Sequence, residues 1–448
     1  MLGPLLQYQS LKTVLLHTDA NTRFRISTHM PSIREVENKI PLRISGLDMS
    51  DNYRTVVNNT SYQVGIIRYI PDGDASMQVK QDQEGFVSDS DFDELGFPFD
   101  AGRNVVLPGD VSFKLENRPE FRMDTEREYR TQLRIHEEAF KKQAELETKG
   151  ITVEDYLKSF GPIDPRTTFE GGFGMRQFLK YTPHLLSGYI QYFKLALLPF
   201  DCRRNNTKPP FTCYVQLTIT KGGSSQIQRF EYNKKLFEAS KSLHKALFGS
   251  RTLPIQVGRL DLNRDETIYR LPTGFRVHAI HVRTSHDTLA HLSFPSLVEN
   301  SESLESIEMT HGVRGDAFQT EIVRRAKRLV IIDAAYYVMT QAIQHLPNLE
   351  ITLNNRWCSP EETFILIQAW LSADRPVGAL CCLEVKDEEI AESILRSVQT
   401  QYERTNRTKR CVTIQKTDST RVELFYVPYT PRREYSNKGI LNIRIVKI

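Results

Sequence analysis

The stretch from Arg328 to Val385 constrains the fold most, because short β-rich apolar runs alternate there with longer segments of helical pattern. Each intervening segment is long enough for a crossover helix, which is the pattern of parallel β/α units. The second helix has the clearest start, since Ser359 and Glu362 form a capping box around Pro360 at the first helical position. The predicted elements are a strand at 329–332, a helix at 336–346, a strand at 349–353, a helix at 361–371 and a strand at 379–383. This stretch predicts architecture and points to no chemistry.

Length and charge limit the class of protein. A chain of 448 residues with 40% apolar content can bury substantial cores, and its length suggests two or three domains. A net charge of +4 is close to balance, so no overall field recruits nucleic acid or an acidic membrane surface. The N-terminus lacks the pattern of a secretory signal, and no apolar run approaches the roughly 20 residues of a membrane helix. We therefore expect an intracellular protein, cytoplasmic or nuclear, that binds neither nucleic acid nor membrane.

The cysteines argue against a disulfide scaffold and against structural zinc. There are six in the whole chain, and none forms a C-x-x-C pair. Cys381 and Cys382 stand between Leu380 and Leu383, so we expect unreactive thiols in or near the core. Reduced thiols are the expected state of this chain.

Changes in pattern divide the chain into segments and predict a fold of mixed α+β and α/β class. Three short helices are expected between residues 8 and 40, the second capped by Asp19 and the third opened by a capping box of Ser32 and Glu35. Antiparallel hairpins with helices follow, and the C-terminal part is a unit of β/α repeats. The four predicted segments are a short helical segment at 1–40, a small sheet with an acidic loop and a long charged helix at 41–185, an α+β hairpin unit at 186–300, and a β/α frame with a C-terminal hairpin at 301–448.

Acidic residues accumulate between residues 80 and 103, where Asp89, Asp91 and Asp93 have the alternate spacing of a calcium loop. Glu94 stands where such a loop needs glycine for its sharp turn. A solvated acidic loop is therefore the favoured interpretation, and no metal is expected. The charged helix that follows carries a thin predicted apolar stripe of Tyr129, Leu133, His136, Phe140 and Ala144.

Two further patterns concern strands. The clearest hairpin is predicted between Cys213 and Tyr232, with its turn at Gly222 and Gly223. Later strands, beginning near residue 292, are spaced roughly as in leucine-rich-repeat arrays, although the repeat consensus is poor.

No motif in the chain indicates catalysis. The sequence has no nucleophile elbow, phosphate-binding loop or kinase signature. His278 and His281 stand three residues apart on a predicted strand and should point to opposite faces, which argues against a shared metal. We therefore expect no catalytic residue, no cofactor and no metal site, and a protein that is not an enzyme.

Four stretches carry a family resemblance. They are YQSLKTVLLHTDANTRFRISTHMPSIREVENKIPLRI, VSDSDFDELGF, NVVLPGDVSF and RWCSPEETFILIQAWLSADRPVGALCCLEV. Together they resemble the large nematode F-box C family, whose shared region is a domain of unknown function. The resemblance runs across nearly the whole chain.

The resemblance implies an F-box-like N-terminus that docks on a Skp-type adaptor of a cullin ubiquitin ligase, while the remainder holds an unknown protein substrate. Where an F-box usually carries Val-Cys and then Trp near its end, this chain has Ile26 to Pro31. Two hypotheses follow: a non-enzymatic adaptor that serves as substrate receptor, or a structural protein-interaction module that has lost adaptor binding. The implied adaptor-facing residues are Leu11, Val14, Leu15, Phe24 and Ile26.

Overall fold

The computed structural model describes most of the chain, and the described residues contain ten α-helices and a large mixed sheet. They form two compact units: Met1–Gly65 with Ala101–Glu116 and Val215–Ile448, and Ile66–Asp100 with Asn117–Tyr214. The described residues are 8–51, 53–69, 87–112, 125–159, 178–262, 268–285, 297–299, 304–310, 315–332, 342, 345–354, 359–402, 405–428 and 439–448.

Three helices open the first unit, as predicted: α1 (Tyr8–His17), α2 (Ala20–His29) and α3 (Pro31–Asn38). Asp19 caps α2, because its side chain accepts hydrogen bonds from the backbone of Asn21 and Thr22. The capping box expected at the start of α3 is wrong. The helix begins at Pro31 with Met30 as its N-cap, so the following serine is already inside the helix.

One sheet dominates the fold. Its seven central strands are parallel. Antiparallel strands continue the sheet beyond the strand Leu380–Val385 on one side and beyond the strand Arg43–Asp51 on the other. In order across the sheet, the strands are β17 (Thr405–Arg407), β18 (Cys411–Gln415), β19 (Thr420–Pro428), β20 (Gly439–Lys447), β16 (Leu380–Val385), β15 (Glu350–Asn354), β14 (Arg328–Ile332), β13 (Ser306–Thr310), β11 (Val277–Ser285), β9 (Ile255–Leu262), β1 (Arg43–Asp51), β2 (Arg54–Val57), β3 (Thr60–Tyr69), β7 (Thr212–Lys221) and β8 (Ser224–Glu231).

Five short strands complete the described set. The last of them pairs with β11 in parallel, and the others form two small two-stranded sheets. They are β4 (Asp91–Phe92), β5 (Pro98–Phe99), β6 (Val111–Ser112), β10 (Ile268–Tyr269) and β12 (Val298–Glu299).

The parallel strands are aligned by a ladder of inward side chains, each 1% exposed or less. Three neighbouring pairs in this ladder, Leu260 with Val282, Ile307 with Leu329, and Leu329 with Ile351, are 22 residues apart. The strands of each of these pairs are neighbours in the sheet and run parallel. The ladder consists of Leu47, Leu260, Val282, Ile307, Leu329, Ile351 and Cys381.

Helices cover the inward face of this sheet and share one core with it. The three strands and the second helix predicted within Arg328–Val385 are confirmed, including the capping box between Ser359 and Glu362. The helix predicted at 336–346 falls mostly outside the described residues. The remaining helices of this unit are α7 (Leu236–Phe248), α8 (Glu321–Arg325), α9 (Pro360–Ser372) and α10 (Glu388–Gln401), with a 3-10 helix at Gly315–Gln319.

The second unit contains α4 (Thr125–Thr148), α5 (Val153–Lys158) and α6 (Pro183–Asn205). The predicted apolar stripe of α4 is only partly right, since Phe140 and Ala144 are exposed. His136 is buried as predicted, together with Ile135, Ala139 and Leu146.

Candidate functional site

The five adaptor-facing residues implied by the resemblance do not share one surface. Leu15 is 1% exposed, and Phe24 is buried edge-on against Tyr62 and Phe248. Leu11 and Ile26 are half-buried, whereas Val14 is 48% exposed. The structure therefore brings Leu15 and Phe24 into the core and leaves Val14 as the member of the set most accessible to a partner.

A buried ion-pair cluster joins α2 and α3 to the connection between α7 and β9. Glu37 contacts Arg23 at 2.8 Å and Arg251 at 2.7 Å, and all three side chains are almost fully buried. Arg23 also donates to the backbone oxygens of Ile40 and Pro41. Burial lowers the pKa of Arg23, and the carboxylate of Glu37 opposes that shift. Because a buried ion pair is costly to break, α2 and α3 are integral parts of the first unit.

The first helix has a different environment. Its apolar residues Tyr8, Val14 and Leu16 are exposed. The ammonium group of Lys12 lies 4.6 Å from the centre of the Tyr8 ring, a cation–π contact. Tyr8, Lys12 and Leu16 are spaced four residues apart and share one side of the helix, whereas Val14 lies on another side. Exposed apolar side chains on one short helix can serve as a docking surface for another protein.

Another candidate surface is the second face of the parallel sheet. Side chains alternate along a strand, so the residues between the buried ladder positions point away from the core. They are exposed or half-buried, with the exception of Cys382, which is buried. We call this surface the open face, and it comprises Arg259, Asp261, His281, Arg283, Ser306, Glu308, Arg328, Val330, Glu350, Thr352, Leu380 and Cys382.

Charges on the open face are paired across neighbouring strands. Arg283 contacts Glu308 at 3.0 Å, and on adjoining strands Arg328 contacts Glu350 at 2.8 Å. Within a single strand, β9, Arg259 contacts Asp261 at 3.2 Å. Burial raises the pKa of Asp261, and the Arg259 guanidinium opposes the shift. The face therefore carries both signs of charge in alternation and no single-sign field.

An uncharged centre lies beside these ion pairs. Val330, Thr352 and Leu380 are half-buried and sit on consecutive strands. The buried thiol of Cys382 donates a hydrogen bond to Asn442 Oδ1 at 3.2 Å. Burial also raises the pKa of Cys382, which keeps this thiol protonated and weakly nucleophilic. This centre offers contact area and no reactive group.

The alternation of side chains is interrupted on two neighbouring strands, β11 and β9. In β11 both Ile280 and His281 are exposed, so His281 joins His278 on the outward side. The expectation that the two histidines face opposite ways is therefore wrong. On β9 the interruption falls at Gly258, where a Cβ atom would lie 2.6 Å from the backbone oxygen of Ser45. Only glycine permits that approach.

Neither histidine forms a metal site, and no cluster of potential metal ligands occurs among the described residues. His278 contacts Glu299 at 3.3 Å, and His281 contacts the hydroxyl of Ser306 at 2.8 Å. In the acidic loop, Asp93 accepts hydrogen bonds from the backbone of Leu95 and Phe97, so it forms a turn.

The second unit contains a cavity of about 1030 Å³ between α4, α5 and the start of α6. At the wall of this cavity, the side chain of Gln143 donates hydrogen bonds to the backbone oxygens of Leu179 and Tyr181. The described lining contains no histidine, cysteine or serine. The polar side chains of the lining are Gln143, Glu147, Glu154, Lys158, Lys180, Tyr181 and Thr182.

Comparison with known families finds one domain, described as a domain of unknown function (DUF3557), at residues 235–387. This range begins at α7 and contains every strand that contributes to the open face. No F-box is found. Comparison with curated proteins and with solved structures gives no match. Within the described residues, no helix has the length and apolar character needed to cross a membrane.

Proposed function

We propose that the chain is a non-enzymatic protein-recognition module and that the open face is its binding surface. The observation that carries the proposal is the layout of this face: an uncharged centre of Val330, Thr352 and Leu380 beside ion-paired charges. Protein interfaces have this anatomy, with a less charged centre and a polar rim. Charges of both signs favour a protein partner over nucleic acid, which requires a basic surface.

The extent of the DUF3557 domain supports the same surface. The match covers 235–387, and the central strands that supply the open face all fall within it. The helical core and the open face are thus parts of one unit, in which a rigid sheet positions the outward side chains. Sites built on strands hold their side chains more accurately than sites on loops.

A substitution on the open face tests this proposal. Arg328→Glu replaces an ion pair with Glu350 by a repulsion on a side chain that is largely exposed, so the fold should survive. The matched control is Arg396→Glu on α10, whose arginine contacts Glu392 and is also largely exposed. Affinity purification with quantitative mass spectrometry should show partners that bind wild type and the control and are lost from Arg328→Glu.

Both variants should melt like the wild type in that experiment. Retention of every wild-type partner by a folded Arg328→Glu protein would remove the open face from the binding surface. Equal loss from both variants would show an effect of net charge and not of the site.

A second function is favoured by the exposed apolar residues of α1. We propose that this helix docks on a Skp-type adaptor, which would make the module the substrate receptor of a cullin-type ubiquitin ligase. The family resemblance supplies the partner class, and the exposed apolar residues Tyr8, Val14 and Leu16 are the candidate contacts on α1. The alternative is a structural module without adaptor binding, and the burial of Leu15 and Phe24 favours it.

Val14→Asp separates these two alternatives. Val14 is exposed, so the charge should leave the fold intact and abolish capture of a purified Skp-type adaptor. Ile365→Asp on α9 is the control, because Ile365 is an exposed apolar residue on a helix of another segment. The adaptor proposal fails if wild type does not capture the adaptor, or if Val14→Asp captures it as well as the control does.

A further inference from the structure

The last strand of the large sheet, β8, is exposed along its whole length. All eight residues from Ser224 to Glu231 are exposed, including Ile227 and Phe230 at 38% and 52%. No strand of the described residues lies beyond it. A sheet edge of this kind presents backbone donors and acceptors to any further strand that can pair with it.

The turn before β8 determines which residues face outward. Gly222 and Gly223 have φ values of 56° and 83°, as a two-residue type I′ hairpin requires. Lys221 and Ser224 then form the first hydrogen-bonded pair, and the pairs alternate from there. Two contacts agree with this register: Thr220 with Ser225 at 2.9 Å, and Gln216 with Arg229 at 3.1 Å.

It follows that Ser224, Gln226, Gln228 and Phe230 direct their backbone groups toward β7. Ser225, Ile227, Arg229 and Glu231 direct theirs to the outer edge.

The outer edge of β8 lacks the features that usually prevent pairing. The strand contains no proline and no lysine, and its one arginine and one glutamate give no net charge. At the other end of the sheet, β17 has only three residues and offers a much shorter edge. The contrast makes β8 the edge suited to an added strand.

We propose that β8 pairs with β8 of a second copy of this chain, antiparallel and with the two-fold axis at Gln228. In this register Ser225 lies opposite Glu231 and Ile227 opposite Arg229, so all four outward residues of each strand are used. A shift that centres the pairing on Arg229 places two like charges opposite each other. Shifts in either direction leave at least one outward residue without a residue of the partner strand opposite it. The interface is narrow, so the dimer forms reversibly and at high concentration.

A cysteine pair tests the register. Gln228→Cys places two thiols at the symmetry axis, in a non-hydrogen-bonded pair whose Cα atoms are about 4.5 Å apart, within disulfide range. Gln226→Cys is the control, because it is the same residue type on the same side of the strand. In the proposed register its own copy lies four residues away, roughly 13 Å along the strand, and cannot be bridged.

Mild oxidation at high protein concentration should give a covalent dimer with Gln228→Cys and none above the wild-type background with Gln226→Cys. The reverse pattern, or no covalent dimer with either variant, overturns the proposed pairing.

A second variant tests the pairing without a crosslink. Ile227→Pro removes an outward N–H and leaves the hydrogen bonds to β7 intact, as an edge strand permits. Ile227→Ala keeps the N–H and serves as control. In sedimentation velocity over a concentration series, wild type and Ile227→Ala should associate and Ile227→Pro should remain monomeric. A wild type that stays monomeric throughout, or an Ile227→Pro variant that associates equally, contradicts the proposal.

Discussion

A buried histidine links α7 to the strands below it. His244 Nδ1 lies 2.8 Å from the backbone oxygen of Arg270, and Nε2 lies 2.7 Å from the hydroxyl of Thr55. Burial lowers the pKa of His244 to about 4, although the hydrogen bond to Arg270 opposes the shift. Asp110 forms ion pairs with the neighbouring cations, at 2.5 Å from Lys241 and 2.9 Å from Arg270.

This histidine makes stability depend on pH below neutrality. Above the unfolded pKa of about 6.5 the imidazole is neutral in both states and contributes no pH dependence. As the pH falls toward 4, His244 binds a proton in the unfolded chain but not in the folded chain, so the folded state loses stability. Between pH 7 and pH 5 we expect wild type to lose about 2 kcal/mol more unfolding free energy than His244→Gln.

Urea unfolding of both proteins at the two pH values measures that difference. Parallel losses in wild type and His244→Gln would show that the histidine is not the group that titrates.

Single residues also show where local sequence predicts structure. Asp19 and Ser359 act as N-caps as expected, because a cap depends on backbone groups within three residues. Ser32 had the same local signature, yet the helix begins at Pro31, two residues before the start that a Ser32 cap implies. Two start signals in adjacent positions compete, and proline, with its fixed φ, prevails here.

Among the elements, α9 shows how a helix is fixed to the sheet. Leu366, Ile367 and Trp370 are buried in the shared core, and the Arg375 guanidinium lies 5.7 Å from the Trp370 ring. The local pattern does not by itself fix this orientation, because Phe364, Ile365, Leu366 and Ile367 are consecutive apolar residues and Ile365 is exposed. In α4 the apolar residue Phe140 is likewise exposed, whereas Gln143 donates hydrogen bonds at the cavity wall.

Removal of Trp370 should therefore unfold the protein and not merely weaken binding. Trp370 is 1% exposed, and truncation of such a residue to alanine costs about 3–5 kcal/mol. The control is Ile365→Ala on the same helix, where the side chain is exposed. Thermal unfolding should show a large loss for Trp370→Ala and little change for Ile365→Ala. A Trp370→Ala protein that melts like wild type and lacks a partner would contradict the core role of this residue.

At the scale of the whole molecule, the parallel sheet depends on contacts that no local pattern specifies. The strands of Arg328–Val385 were predictable because each is a short apolar run between helical segments. The strand β1 pairs with β9, and Leu47 lies beside Leu260. This pairing joins residues more than 200 positions apart in the chain. The open face was also missed, because its residues are ordinary polar side chains between apolar ones. Their alternation in β13 to β15 was the available signal.

Protection of the open face on binding is the most direct test of the account. Ser306→Cys places a thiol on this face, and Ser397→Cys places one on exposed α10 as a matched control. Each variant is labelled with a maleimide, alone and with a partner recovered through the Arg328→Glu comparison, and labelling is read by peptide mass spectrometry. We predict that the partner slows labelling at position 306 and leaves position 397 unchanged. Equal labelling at position 306 with and without the partner would contradict the open face as the binding surface.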